Sequence, residues 1–509
     1  MTAPNPTARD LIVVGGGGSG LAAAVSAAET GARVTVLEAG ELLRGSTAMS
    51  VGSIAAAGTP DQRRLGIEDR ADDHFRDYQT LSGPLAAAED PRLVRLLVDH
   101  VADTVAWLRR MGVEFFGPVG EPPHSAPRLL TVLPGSRSYI YHLRRRARQL
   151  GVEVLLGHRM TELIVEDGRV VGVRASHDGV AGEFRARHGV ILASGDFSAS
   201  QELKRAWISE RVAGFEPVNR HAQGDAQRLV LEHGGEVLNA AVFDVPSIRL
   251  APPAGEGLYG LLQRLPPRRW LTGPMLWAMR HLPSRIIRTL LMGFVTTYLS
   301  PREALFEHGA ILVDLHGSLR SSAEENINLS VAGLGAEGGY VIGDERLRKQ
   351  FSGDPDYVAT APGVARAYMP DFQRGRKDVY TSSDTIEGLA KRLGIRDGAL
   401  SAAVESANRA AAEAGRPPIG AGPYFALGPV RGYLLQTNGG LRISDRLEVV
   451  DRTGTPIPGL YAVGNAGQGG LALFGHGHHL GWAFTSGRLA GRIALGAPLP
   501  GPHRSSRRR

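Results

Sequence analysis

The sequence predicts an α/β fold with a Rossmann-like nucleotide-binding domain, and three observations near its N-terminus support this. The run 11–14 (LIVV) is short and apolar, as buried parallel strands are. A glycine-rich turn at 15–20 (GGGGSG) follows and leads into an alanine-rich stretch that favours a helix. A second apolar run, 33–37 (RVTVL), ends at Glu38. Strand, glycine turn, helix, strand and acid in this order are typical of dinucleotide binding.

Each part of the turn has a physical role in that prediction. Gly15 makes the sharp bend, Gly17 lets a pyrophosphate approach the backbone, and Gly20 lets the helix pack on the sheet. The helix N-terminus offers free N–H groups to the phosphates. Glu38 is expected to accept the two hydroxyls of the adenosine ribose.

Composition narrows the classes of function. A chain of 509 residues is long enough for two hydrophobic cores. It contains no cysteine, which excludes thiol catalysis and cysteine-bound iron–sulfur or zinc sites, so redox chemistry would need an organic cofactor. The net charge of +7 comes mainly from arginine, without the basic and aromatic stripe that nucleic-acid binding favours. The polar start (MTAPNPTARD) leads straight into a strand, so we expect a cytoplasmic protein.

The turn continues into a stretch, 44–53 (RGSTAMSVGS), that resembles the GGSTxxSGG segment of the fumarate reductase and succinate dehydrogenase flavoprotein family. Later segments resemble that family in the same order: 151–173, 189–197 (GVILASGDF), 224–225 with 234–235, 309–313, 437–443 (TNGGLRI) and 457–465 (IPGLYAVGN). The resemblance implies FAD. It also implies non-covalent binding, because Thr47 occupies the position of the histidine that carries FAD in respiratory members.

The turn and the resemblance together imply a divided architecture. The FAD-binding domain takes residues 9–243 and 426–497, an inserted α+β cap domain takes 244–425, and 498–509 is a disordered basic tail. The expected FAD contacts are Gly15, Gly17, Gly18, Ser19, Gly20, Glu38, Ala39, Gly45, Ser46, Thr47, Gly52, Met160, Thr161, Ser194, Gly195, Asp225, Gly464, Asn465, His479 and Leu480.

The family's dicarboxylate clamps are missing from this sequence. In the family, two histidines and two arginines form these clamps. The histidine positions correspond to Val245 and 435–436 in this sequence, and the arginine positions correspond to 326–328 and His479. Two buried carboxylates need cationic partners, so fumarate and succinate are not expected as substrates. The run 474–488 (FGHGHHLGWAFTSGR) is closer to the 3-ketosteroid dehydrogenase-like branch, which removes hydrogen across a CH–CH bond beside a carbonyl.

The same run contains the catalytic candidates. Where that branch has the tyrosine that holds the enolate oxygen, this sequence has Phe474. The position whose backbone N–H also binds the enolate oxygen in that branch is His478 here. We expect His478 first, or His476, to be the acid or base, with Tyr141 and Tyr340 as further candidates. A metal is not expected, because the spacing of these histidines is poor for zinc and no carboxylate is close in sequence. A helix over 480–494 should direct its N-terminal dipole at the flavin.

The segment 257–300 is basic and apolar, with six arginines and no Asp or Glu. Its run 290–299 is too short to span a bilayer. We expect either a cap element packed on the protein or another subunit, or an interfacial element that contacts anionic lipid. Nothing in the sequence indicates the oligomeric state.

The sequence therefore predicts an FAD-dependent dehydrogenase of a bulky, apolar, steroid- or polyketide-like ketone. One alternative is an enone or C=C reductase of the same substrates, and another is a flavin-binding protein without turnover. Because there is no second nucleotide turn, the electron acceptor is expected to be external: a quinone, a carrier protein or oxygen.

Overall fold

The computed structural model describes residues 9–243, 247–250, 265–283, 292–293, 295–296, 299, 301–321, 327–334, 337–361 and 365–499. Val245, Asn326, the predicted basic tail beyond 499 and much of the segment 257–300 lie outside these residues. Within the described ranges, no helix combines the length and the apolarity needed to cross a bilayer.

Twenty-two strands are described: β1 Leu11–Val14, β2 Val34–Leu37, β3 Ser53–Ala55, β4 Glu114–Val119, β5 Leu129–Leu133, β6 Glu153–Leu155, β7 Arg159–Glu166, β8 Arg169–His177, β9 Val180–Arg185, β10 Val190–Leu192, β11 Glu216–Pro217, β12 Val237–Leu238, β13 Ser247–Leu250, β14 Ile311–Asp314, β15 Gly339–Gly343, β16 Ala359–Ala361, β17 Ala365–Ala367, β18 Tyr380–Ser383, β19 Tyr424–Leu434, β20 Gly440–Leu441, β21 Glu448–Val450 and β22 Pro456–Ala462.

The α-helices described are α1 Gly18–Ala28, α2 Pro60–Arg64, α3 Ala71–Ser82, α4 Pro91–Arg110, α5 Arg137–Gln149, α6 Gln201–Trp207, α7 Glu210–Ala213, α8 Asp225–Glu232, α9 Arg269–His281, α10 Ala304–Glu307, α11 Ile327–Ser330, α12 Glu345–Gln350, α13 Met369–Gly375, α14 Ile386–Leu393, α15 Ala399–Glu413 and α16 His478–Ile493. Short 3₁₀ segments lie at Ser46–Met49, Gly83–Ala88, Val331–Leu334 and Gly464–Gly467.

The first sheet confirms the Rossmann-like prediction. Its strand order is β21-β22-β10-β1-β2-β6, and all pairs except β21 with β22 are parallel. The last residue of β1, Val14, pairs with Leu37 of β2 and Leu192 of β10. The carboxyl ends of three neighbouring strands are therefore level. The turns that follow them form one edge of the sheet, where nucleotides bind in such folds.

Helix α1 is buried along its whole length, with α16 packed against it. Glycines make that approach close: a Cβ on Gly487 would lie 2.2 Å from the carbonyl oxygen of Ser19, and one on Gly491 would lie 2.3 Å from that of Ala23. Because α16 packs on the first helix of the nucleotide-binding unit, its N-terminus is brought to the same edge of the sheet as the glycine turn.

A second sheet of six strands has the order β11-β19-β15-β14, with β13 and β18 also paired to β19. Apolar side chains cover it in two clusters of their own, separate from the core around β1 and α1. The mixture of antiparallel sheet and helices agrees with the α+β cap that the sequence predicts. The predicted boundary at 425 falls inside β19, and the limits of the two domains stay a prediction.

Candidate active site

The glycine turn between β1 and α1 has one open side. Gly15 has φ +109°, and a Cβ there would lie 2.4 Å from the carbonyl oxygen of Ala193. A Cβ on Gly20 would lie 1.9 Å from the carbonyl oxygen of Gly15. A Cβ on Gly17, in contrast, would meet only the Cα of Gly45, at 3.8 Å. The turn is therefore closed towards the protein at Gly15 and Gly20 and open at Gly17, where the sequence predicts a pyrophosphate.

Glu38, which follows β2, is held beside this turn. Its carboxylate accepts hydrogen bonds from the backbone N–H of Gly16 at 2.6 Å and of Gly40 at 2.8 Å. A carboxylate has about four lone-pair positions, so acceptor capacity remains for hydroxyl groups. Its contact with a ribose stays a prediction.

The segment after Arg44 forms a second wall of the cleft. Thr47 Oγ1 accepts a hydrogen bond from the backbone N–H of Gly18 at 3.2 Å, and Asn219 Nδ2 donates to Ser46 Oγ at 3.1 Å. Thr47 therefore fixes this segment to the phosphate turn. Non-covalent FAD stays a prediction.

The opposite wall comes from residues far apart in the chain. A Cβ on Gly15 would lie 3.0 Å from the backbone nitrogen of Ser194, and one on Gly464 would lie 2.6 Å from Ser19 Oγ. Ser194 Oγ is buried and has no hydrogen-bond partner among the residues that the structure describes. A buried hydroxyl without a partner beside an open glycine turn fits a polar ligand, because such a group costs free energy unless a ligand or water satisfies it. These residues fit FAD.

Asp196 joins two of the family-like motifs behind this wall. Its carboxylate accepts hydrogen bonds from the backbone N–H groups of Thr437 at 3.0 Å and Ser198 at 3.1 Å. The Thr437 hydroxyl in turn accepts from the backbone N–H of Phe197 at 3.3 Å. The ASGDF and TNGG turns therefore meet, although the sequence separates them by more than two hundred residues.

Four other predicted cofactor contacts have protein partners of their own. Asp225 pairs with Arg159 at 2.7 Å, and Asn465 Nδ2 donates to a glutamine side chain at 3.1 Å. The Met160 side chain packs in the core, while Thr161 is exposed and donates to a backbone carbonyl across the hairpin. The contact of these four residues with FAD stays a prediction.

Helix α16 begins at His478, two residues earlier than the sequence predicts. Its N-cap, Gly477, has φ +88°, and a Cβ there would lie 2.4 Å from the backbone nitrogen of Ala55. No side chain caps the helix. The N-cap glycine has no side chain to offer the first turn, and the helix dipole favours negative charge at this point.

His476, in the loop before α16, is paired with a carboxylate. Its Nδ1 hydrogen-bonds to Oε1 of Glu121, in the turn between β4 and β5. The His476 side chain is 57% exposed and that of Glu121 is 17% exposed. Because an ionised carboxylate only accepts, Nδ1 carries the proton and Nε2 is the basic nitrogen. The sequence analysis missed Glu121, which lies 355 residues away from its partner.

Next to this pair lies a cluster of three imidazoles, the buried His74 and His478 and the half-buried His124, which we call the histidine cluster. His478 Nδ1 lies 2.6 Å from the carbonyl oxygen of Phe474, so it must donate its proton there. Its Nε2 is then an acceptor, and His74 Nε2, at 3.0 Å, is the donor. His124 Nδ1 accepts from Arg128 Nη1 at 3.2 Å. Hydrogen bonding therefore determines the tautomer of all three rings.

A fixed positive charge stands beside these rings. The Arg128 guanidinium is 1% exposed and forms two 2.7 Å hydrogen bonds to Asp69. Burial lowers the pKa of His478 to about 3, and burial followed by the charges of His478 and Arg128 lowers the pKa of His74 well below its usual value. Burial likewise lowers the pKa of His124.

These properties contradict the role predicted for the His478 side chain. A buried imidazole that stays neutral, with both nitrogens hydrogen-bonded inside the protein, is not an acid or base at neutral pH. Its backbone N–H at the start of α16 keeps the predicted donor position. The sequence analysis missed His74 and Arg128, because single charged residues in ordinary segments carry no motif.

The histidine cluster should make the protein less stable in acid. A histidine whose folded pKa lies below its unfolded value contributes its stability above about pH 6.5 and loses it as the pH falls towards the folded pKa. The free energy of unfolding should fall by up to about 1.4 kcal/mol per imidazole for each pH unit below about 6.5. Urea unfolding at several pH values measures this slope.

The matched variant is His124→Gln, which should make the slope shallower. Asp77, whose pKa is lowered by hydrogen bonds from Ser125 and from Arg128 that outweigh its burial, titrates below this pH range. A free energy of unfolding that stays constant or rises between about pH 6.5 and about pH 4.5 would contradict the prediction. The other charged or titratable groups around the cluster are Asp69, Tyr78, Glu121, Arg128 and His479.

The two tyrosine candidates lie elsewhere. Tyr141 contacts Arg268 at 3.4 Å and lines a hollow of about 200 Å³ beside α5. Tyr340, on β15, packs with the apolar cluster of the second sheet, and burial raises its pKa. The partners of the two tyrosines lie at the start of α9 and in the second sheet, and their catalytic role stays a prediction.

Comparisons with known proteins agree with this geometry. The chain matches a family model described as FAD binding domain over residues 10–254 and 307–477, more than half its length. A vinyl phenol reductase from Lactiplantibacillus plantarum is 26% identical over 97% of this chain and 98% of its own.

Two solved structures show the same fold. The open conformation of a flavocytochrome c3 fumarate reductase has a TM-score of 0.70 and 21% identity, over 97% of this chain and 79% of the other. A 3-ketosteroid-Δ4-(5α)-dehydrogenase from Rhodococcus jostii RHA1 has a TM-score of 0.59 and 24% identity, over 97% and 98%.

Proposed function

The chain belongs to the FAD binding domain family and is an FAD-dependent oxidoreductase, and from this premise we propose that it dehydrogenates a CH–CH bond beside a carbonyl group. The observation that carries the proposal is the His476–Glu121 pair next to the start of α16, whose N-cap is a glycine. A base and a group of oxyanion donors on one loop are what removal of a proton beside a carbonyl requires.

We assign the following roles to the residues of the chain. His476 Nε2 takes the proton from the α-carbon, and the electrons of that C–H bond pass into an enolate. Glu121 orients the imidazole and stabilises the imidazolium that results. The N–H groups at the start of α16 face the carbonyl oxygen as negative charge develops on it. When bound, FAD supplies the two-electron chemistry by accepting a hydride from the β-carbon.

We propose a bulky, apolar ketone as the substrate. At the positions where dicarboxylate-reducing relatives have histidine or arginine clamps, the described residues include Asn328, Leu435, Gln436 and His479. Without two bidentate cations, burial of two carboxylates is too costly. Phe474, half-buried in the loop before α16, adds apolar surface next to the proposed base.

The second candidate is reduction of a C=C bond in the same class of substrate. It is favoured by one observation, the vinyl phenol reductase that matches this chain over nearly the whole length of both. The same residues would then act in reverse, with His476 donating a proton. In the dehydrogenase direction the electrons leave to an external acceptor, which we propose is a quinone, a carrier protein or oxygen.

An anaerobic absorbance assay distinguishes the two directions. Saturated cyclic ketones, steroids among them, should bleach the oxidised flavin if the protein is a dehydrogenase. The corresponding enones should reoxidise the chemically reduced protein if it is a reductase. Succinate and fumarate are the controls and should do neither. Reaction with these dicarboxylates, or failure of every ketone and enone to react with the FAD-loaded protein, would overturn the proposal.

A further inference from the structure

Helix α9 presents an unusual outward face. Trp270, Gly273, Pro274, Trp277 and Arg280 are all exposed, and their spacing of three, four and seven residues places them on one side of the helix; we call this the tryptophan face. The two tryptophans are 59% and 57% exposed. An outward face of a helix in a globular protein is normally polar, so two exposed tryptophans here need a partner.

The inner side of this helix already has its contacts. Leu271 and Thr272 are buried, and α9 packs on β4 and β5. Just before the helix, the backbone carbonyl of Pro267 lies 3.0 Å from His142 Nε2, and Arg268 contacts Tyr141. Because α9 is attached by its other side, the residues that the structure describes leave the tryptophan face uncovered.

The charge around the face is positive. The helix contains Arg269, Arg280 and His281 and no carboxylate, and Arg269 is 90% exposed. On the neighbouring α5, Arg144, Arg145 and Arg148 are also exposed. The nearest acidic group to the helix start is Glu114, 3.5 Å from Arg269. A partner that covers the tryptophans must therefore also carry negative charge.

We propose that the tryptophan face docks on the surface of a bilayer that contains anionic lipid. A bilayer surface offers negative headgroups for the arginines and, a few ångströms deeper, the apolar boundary that tryptophan prefers. If a second copy of the chain docked here through the same face, two positive surfaces would meet and repel each other. The proposal is independent of the reaction catalysed, since α9 contains none of the residues assigned to it.

Vesicle flotation of the full, FAD-loaded chain tests this. The protein should float with phosphatidylcholine vesicles that contain phosphatidylserine and stay behind with pure phosphatidylcholine, and salt should weaken the binding. Trp270→Ala/Trp277→Ala should reduce binding at least about tenfold, because two large apolar groups are removed from the interface. Arg269→Gln/Arg280→Gln should reduce it about fivefold for each arginine.

Matched controls separate docking from general effects. Arg396→Gln/Arg409→Gln removes two exposed arginines from α15 and the loop before it, and Val180→Ala trims a 72% exposed side chain on β9. Both controls should float like the original protein. In the original protein, tryptophan fluorescence should shift to the blue with phosphatidylserine vesicles, and this shift should vanish in the tryptophan double variant.

Three results would overturn the proposal. One is a protein that floats with neither vesicle. Another is binding that the tryptophan and arginine variants retain in full while flavin content is normal. The third is a vesicle-independent dimer that dissociates in Trp270→Ala/Trp277→Ala, which would assign the face to a second copy instead.

Discussion

Replacement of His476 by alanine is expected to lower the rate of substrate-dependent flavin reduction by about 10²–10⁴-fold, the usual contribution of a general base. The side chain is 57% exposed, so its loss should leave the fold and the flavin content unchanged. Stopped-flow absorbance with a saturated ketone that bleaches the flavin measures the rate. Added imidazole should restore part of it.

Two further variants make this prediction specific. Glu121→Gln keeps a hydrogen-bond acceptor for His476 but removes the charge that stabilises the imidazolium, so we expect a smaller loss, about tenfold. His478→Asn alters a buried ring with two hydrogen bonds, and we expect it to lower the free energy of unfolding. A His476→Ala protein that reacts within about twofold of the original rate would disprove its assignment as the base.

Gly20→Ala is expected to have the largest effect on the cofactor. The added Cβ would lie 1.9 Å from the carbonyl oxygen of Gly15, so α1 and the turn must move apart. Overpacking of this kind costs about 1–3 kcal/mol or more. We expect a lower free energy of unfolding and a chain that is purified without yellow colour. Urea unfolding and the ratio of flavin to protein absorbance measure the two effects.

Gly17→Ala is the matched comparison. A Cβ there meets only the Cα of Gly45 at 3.8 Å, and φ is −75°, so the fold should tolerate alanine. The methyl group points into the open side of the turn and should weaken FAD binding about tenfold or more, since one charge-assisted hydrogen bond contributes about 1.5–3 kcal/mol.

Gly375→Ala, where a Cβ meets nothing within 4 Å, is the neutral control. If Gly20→Ala retains normal flavin content and stability, the turn is not the cradle described here. If Gly17→Ala loses as much folding free energy as Gly20→Ala, the open side of the turn is wrongly assigned.

The nucleotide-binding unit could be predicted closely because its signals are local. Strand β1, the turn at 15–20 and helix α1 follow from apolar runs, glycine and helix propensity over a short stretch. Gly15 makes the bend with φ +109°, a conformation that favours glycine. Gly20 approaches the carbonyl oxygen of Gly15 so closely that no side chain fits there. The sequence predicted the start of α16 two residues too late, because the exact end of a helix depends on its cap.

The acid–base assignment could not be predicted in the same way. The sequence presents three histidines in one short run, at 476, 478 and 479, and only the resemblance ranks them, with His478 first because it lies at the donor position. The structure separates them: His478 points into the protein, where burial keeps it neutral, and His476 points outward to Glu121. The difference arises from neighbours on α3 and the β4–β5 turn, which no local pattern associates with the loop.

By itself, the sequence determined the FAD-binding fold, the glycine turn and the loss of the dicarboxylate clamps. The glycine turn depends on backbone conformation at positions close together in the chain, whereas the clamps depend on residue type at positions spread from 245 to 479. The tertiary structure decided which histidine is buried, which histidine pairs with a carboxylate, and that α9 turns its tryptophans outward. Burial and long-range hydrogen bonds set the protonation and exposure of a side chain, and both exist only once distant segments have packed together.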